Sequence, residues 1–177
     1  MSARILFTML AATLSMVLDV SAQPVERDAV FDAVARSIND YTRFTVFDDI
    51  SVQNDDGTIT LRGKVTMPFK RDDIGRRVEA VQGVRAVRNE ITVLPVSIHD
   101  DLLRRRIARA IYDNPAFWRY AAMPNPPIHI IVENGHVTLN GVVPSGVDRA
   151  LARSLATGFG EFSVVNALRT DAEARTQ

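Results

Sequence analysis

The sequence predicts an α+β fold made of two tandem α-β-β-α-β modules, each a three-stranded mixed sheet with two helices on one face. Three observations lead there. The chain repeats itself: Asp56-Gly57-Thr58-Ile59-Thr60-Leu61-Arg62-Gly63-Lys64-Val65 aligns with Asn134-Gly135-His136-Val137-Thr138-Leu139-Asn140-Gly141-Val142-Val143. In each copy Asp56-Gly57 or Asn134-Gly135 joins two short alternating runs, and these dipeptides tolerate the positive φ of a tight hairpin turn. On either side of each hairpin, apolar residues recur at helical spacing.

Residues 1-22 read as a secretory signal peptide: Arg4 precedes an apolar run from Ile5 to Leu18, and Val20-Ser21-Ala22 offers small residues before a cut. The run is shorter than the ~20 residues of a bilayer span, and Asp19 interrupts its end. No cysteine follows to carry a lipid, and no later segment is apolar enough to span a membrane, so the mature chain is expected to lie in the periplasm. Without cysteine, its fold must rest on the core alone in a compartment that permits disulfides.

The first module is expected over 25-96. Val30, Val34 and Ile38 make one helix face behind Asp28, and the hairpin follows. In its second strand Ile59, Leu61, Gly63 and Val65 share one face, while Thr58, Thr60, Arg62, Lys64 and Thr66 share the water face. Gly63 and Gly141 on the apolar face suggest close approach of a helix backbone, or a bulge. After Pro68, Ile74, Val78 and Val81 continue as a second helix, and Gly83 leads into a last strand containing Asn89. Leu94-Pro95-Val96-Ser97-Ile98-His99 is a short link, which makes the modules neighbours.

The second module is expected over 98-170. Leu103, Ile107 and Ile111 form its first helix behind Asp100 and Asp101. Val147, Leu151 and Leu155 form its second, after Pro144, and Gly160 leads to the last strand with Asn166. Asn89 and Asn166 are read as buried amides bonded to backbone. The polar tail 171-177 is expected to fray.

An opening helix, a strand, Asn/Asp-Gly-x-Val/Ile-Thr-Leu-x-Gly, a helix and Gly-x-x-x-Val-x-Asn, present twice, resembles the BON domain, the bacterial OsmY and nodulation domain. A pair behind a signal peptide looks like the osmotically inducible periplasmic proteins. The resemblance implies a role in envelope integrity or osmotic stress, association with phospholipid membranes, and no catalytic residues. Two departures stand out: the long stretch from Asp113 to Pro127 between first helix and first strand of the second copy, and Glu161 where the first copy has Val84.

The chain has 21 basic and 21 acidic residues, which removes the usual electrostatic case for nucleic acid. His99, His129 and His136 lack partners at ligand or triad spacing, and Asn54-Asp55-Asp56-Gly57 resembles a calcium loop without its terminal glutamate. Neither a phosphate-binding glycine loop nor a serine elbow occurs. No catalytic, metal or cofactor-binding residue is therefore nominated, and a non-enzymatic protein is expected.

The candidate site is the first helix of the second copy and the stretch after it. Arg104, Arg105, Arg106 and Arg109 lie among Leu103, Ile107 and Ile111, and Phe117, Trp118, Arg119 and Tyr120 follow. Arginines attract anionic headgroups while Trp and Tyr settle at the water boundary, so the expected partner is an anionic phospholipid surface. The plainer reading makes the arginines a solvated helix face and the aromatics a lid over the core. The alternative function is a protein-interaction module in which a sheet face or edge strand recruits an envelope partner, with Arg62, Lys64, Arg88 and Glu90 as contacts.

Overall fold

The computed structural model describes residues 24–175. The signal peptide read at 1-22 lies outside the described residues. Helix α1 (Pro24–Asn39) leads into the hairpin of β1 (Asp49–Asp55) and β2 (Thr58–Val65), then α2 (Pro68–Glu79) and β3 (Ala86–Val93). The second module repeats this order with α3 (Ile98–Tyr112), β4 (Ile128–Glu133), β5 (His136–Val143), α5 (Gly146–Leu155) and β6 (Ser163–Asn166). It adds the helical turn α4 (Trp118–Ala121), the short strand β7 (Arg169–Thr170) and the terminal turn α6 (Asp171–Ala174).

Each sheet is mixed, as the repeat predicts. In the order β1-β2-β3 the hairpin is antiparallel and β3 runs parallel to β2; β4, β5 and β6 repeat the arrangement. Asp56 and Asn134 both have positive φ and each precedes a positive-φ glycine, as a two-residue hairpin turn requires. Alternation sends Ile59, Leu61 and Val65 into one core with Val34, Ile38, Ile74 and Val78. Val137, Leu139 and Val143 enter the other with Leu103, Ile107, Ile111 and Ala152.

Several local expectations are corrected. A Cβ on Gly63 would meet the Asp49 carbonyl oxygen at 2.0 Å, and one on Gly141 the Pro127 carbonyl oxygen at 1.8 Å. What approaches these glycines is therefore the neighbouring strand, where the first strand of the hairpin begins, and not a helix. The last strand of the second copy is split, because Ala167 and Leu168 separate β6 from β7, and both pieces pair with β5. The segment 171–174 is helical: Thr170 and Glu173 form a capping box, and Glu173 pairs with Arg149 at 2.9 Å.

Asn89 and Asn166 do bond to backbone and act alike, donating to the carbonyls of Arg71 and Arg149 at 2.9 Å, so each ties a last strand to a second helix. Neither is a buried amide, however, since Asn89 is exposed and Asn166 is only half-buried. Glu161 departs from Val84 for a local reason: its carboxylate accepts the backbone N–H of Gly158 and Phe159 at 2.8 Å each. Phe159 packs against the core beside this turn.

The modules touch along the lead-in to β1. The Val46 carbonyl accepts from the Ile130 N–H at 2.6 Å, His129 Nδ1 lies 2.6 Å from the Asp48 carbonyl, and Asn140 donates to Asp49 at 2.6 Å. Lys64 pairs with Glu133. His129, Ile131 and Glu133 share the outer face of β4, and the middle residue is 5% exposed between these contacts. Phe47 of the first module packs against the second module's core.

Candidate functional site

The second-copy helix α3 begins on Ser97, whose side chain accepts the Asp100 N–H, and Asp100 and Asp101 suit the positive end of its dipole. Leu103, Ile107 and Ile111 face the core, which fixes the rotation of everything else on the helix. At 3.6 residues per turn, Ile98, Leu102, Arg105, Arg106 and Arg109 then fall within a sector of about 100° on the far side. All five are exposed, Ile98 at 80%. Among the described residues the side chains of Arg105, Arg106 and Arg109 have no ion pair or hydrogen bond. Arg106 and Arg109 border a shallow recess with Asn114, Pro115 and Phe159.

Arg104 does not belong to this face. Its side chain is 5% exposed, donates to the Val132 carbonyl at 2.5 Å and pairs with Asp101 at 2.5 Å. One turn earlier, the buried Asp100 carboxylate accepts the N–H groups of Asn134 and Gly135 at 2.8 Å. Together they fasten α3 to the hairpin of β4 and β5, which is a structural task and takes Arg104 out of any docking surface.

The aromatics after α3 divide in the same way. Phe117 is 0% exposed and Tyr120 6%, and their rings stack with centroids 6.0 Å apart on the second module's core. Trp118 lies between them in sequence and is 73% exposed. The turn of α4 cannot bury neighbouring positions equally, so the two anchors hold the indole outward. Arg119 is also exposed; its guanidinium sits 4.8 Å from the Tyr120 ring centroid and donates to the Tyr120 hydroxyl at 3.0 Å. The stretch is thus a lid at Phe117 and Tyr120 and a projection at Trp118 and Arg119.

Of the eight residues nominated by sequence, Arg105, Arg106, Arg109, Trp118 and Arg119 reach solvent, whereas Arg104, Phe117 and Tyr120 are buried and position them. Sequence reasoning missed Ile98 and Leu102 as members of the exposed face. Their spacing from Arg105 and Arg109 carried the signal.

The sheet-face candidates are committed within the molecule: Arg62 pairs with Glu90 at 2.8 Å and donates to Gln53, and Lys64 joins the modules. Arg88 is exposed. Among the described residues no group of three or more His, Asp or Glu side chains is placed to hold a metal ion, and no helix is long and apolar enough to cross a membrane.

Compared with protein families, the chain matches the BON domain twice, over residues 29–95 and 99–172. The comparison with curated proteins found no match. Among solved structures it is similar to the C-terminal domain of CdsD, the structural protein of the type III secretion system of Chlamydia trachomatis. That likeness has 12% identity and a TM-score of 0.29, and covers 78% of this chain and 96% of that one. A second CdsD structure also has 12% identity and a TM-score of 0.29, and covers 84% of this chain and 96% of that one.

Proposed function

The chain belongs to the BON domain family, and from that premise we propose that it is an envelope protein docking peripherally on anionic phospholipid through the outer face of α3 and the Trp118 turn. The observation that carries this reading is three arginines, without an ion pair or hydrogen bond among the described residues, sharing one helix face with exposed Ile98 and Leu102, and followed along the chain by an outward-held indole. Arginine alone is an ordinary solvated surface. Arginine interleaved with large apolar side chains suits a boundary that offers phosphate at one depth and hydrocarbon just below.

Each basic residue near an anionic leaflet adds about 1 kcal/mol, so the three arginines together favour anionic over neutral lipid by roughly a hundredfold. Trp118 adds a boundary anchor that salt does not screen. The protein would lie on the periplasmic side of a membrane, and protection against osmotic or envelope stress is the role such a surface layer would serve.

Co-sedimentation with phosphatidylcholine vesicles, with and without phosphatidylglycerol, tests the proposal. Binding should need the anionic lipid, weaken from low to high salt, and be lost in a Trp118→Ala/Arg105→Ala variant. Absence of binding to both vesicles would defeat the reading and turn attention to a protein partner.

A further inference from the structure

A second feature lies away from α3, where the module contact opens into a groove of about 580 Å³. One wall is the α1 face of Phe31, Ala35 and Ile38; the other is formed by His129, Asn140 and Val142 of the second module. Along its floor run Ile50 and Val52 of β1, whose one strand neighbour among the described residues is β2.

The hairpin register decides what β1 offers there. Asp55 and Thr58 flank the two-residue turn and form a bonded pair, so alternation also bonds Gln53 to Thr60 and Ser51 to Arg62. The N–H and C=O groups of Ile50 and Val52 then point away from β2, toward the groove. Among the described residues no main-chain bond outside the sheet uses them. Just upstream the molecule already makes such a contact, since Val46 pairs main chain to main chain with Ile130 on the edge of β4. The groove continues that interface along the same edge of β1.

We propose that this groove is a strand-addition site for an extended peptide segment of another protein, pairing with Ile50 and Val52 and setting apolar side chains at alternate positions against Phe31 and Ile38. An acyl chain would satisfy the apolar wall and leave the two outward N–H groups unanswered. An extended peptide answers both, because its main-chain donors and acceptors alternate with its side chains.

The test is titration of the nitrogen-labelled protein with a short blocked peptide of alternating valine and serine, followed by amide NMR. The expected shifts centre on Ile50, Val52 and the groove walls, with slowed exchange of the Ile50 and Val52 amides. Two N-methylated versions, one modified at every valine and one at every serine, keep the side chains and remove alternate donors. One of the two should bind at least roughly tenfold more weakly. Val52→Pro removes the outward N–H while sparing the bonds to β2, and should weaken the parent peptide similarly. If that variant does not fold, the methylated pair still decides. Equal binding of all three peptides, shifts outside the groove, no binding, or displacement by dihexanoyl phosphatidylglycerol would overturn the assignment. Vesicle binding through α3 is read separately and is indifferent to each of these results.

Discussion

Asp48 and Lys70 meet at 2.5 Å inside the first module, where the carboxylate is 0% exposed. The same carboxylate accepts from the N–H and hydroxyl of both Thr45 and Thr66, at 2.8 to 2.9 Å. It thereby fixes the chain entering β1 to the chain leaving β2, while its main-chain carbonyl meets His129 of the other module. Removing the acid strands a buried cation and four donors. Asp48→Ala should therefore cost about 3–5 kcal/mol in urea unfolding, and Lys70→Met distinctly less, because the threonines still satisfy the carboxylate. Equal losses would show that the threonine bonds contribute little.

Gly63→Ala and Gly141→Ala should each destabilise by roughly 1–3 kcal/mol or more, since both positions combine positive φ with a carbonyl oxygen where the Cβ would go. Gly146→Ala, in the first turn of α5 with nothing within 4 Å of an added Cβ, should be neutral or stabilise by up to about 1 kcal/mol. Thermal melts of the three variants check the contrast.

Phe117→Ala and Trp118→Ala separate anchoring from docking. Deleting the buried ring should cost about 3–5 kcal/mol. Deleting the exposed indole should leave stability within about 0.5 kcal/mol and still weaken vesicle binding. An indole already quenched by acrylamide in the free protein, and shielded once anionic vesicles are added, would agree.

Burial and the hydroxyl's bond to Asp73 push Tyr41 from 10.0 up to about 12. Burial raises Tyr112 as well. A raised pKa favours the neutral phenol in the folded state, so the stabilisation is complete below pH 10 and is lost as pH rises through the folded value. At the acid end the Tyr41 hydroxyl lowers Asp73, the Gly158 N–H lowers Glu161 and the Thr170 N–H lowers Glu173. Stability from these carboxylates is present above their ordinary values and disappears as pH falls through the folded ones. Melting temperature should thus fall at both ends; Tyr41→Phe should flatten the alkaline limb and also remove the part of the acid limb that Asp73 contributes through the Tyr41 hydroxyl, leaving the parts due to Glu161 and Glu173.

Much of this was legible in the residues. Period-two alternation around Asp56-Gly57 and Asn134-Gly135 marked the hairpins, and Leu103, Ile107 and Ile111 marked the buried stripe of α3. Arg104 was misread because it sits beside that stripe, and its fate turns on the Val132 carbonyl, which is brought close only by tertiary packing. The split between Phe117 and Trp118 was hidden for a similar reason: neighbouring aromatics look alike until a core takes one of them. The groove depends on how one module leans on the other, and local periodicity carries no trace of that.

Phe47 sits within the first copy yet covers the core of the second. This bears on how such a duplicated gene can change. Recombination that separated the copies would leave the second with an uncovered core and the first with an apolar side chain facing water. Selection then acts on the pair as one hereditary unit, and substitutions at Phe47 should be tuned to residues of the second copy rather than to its own.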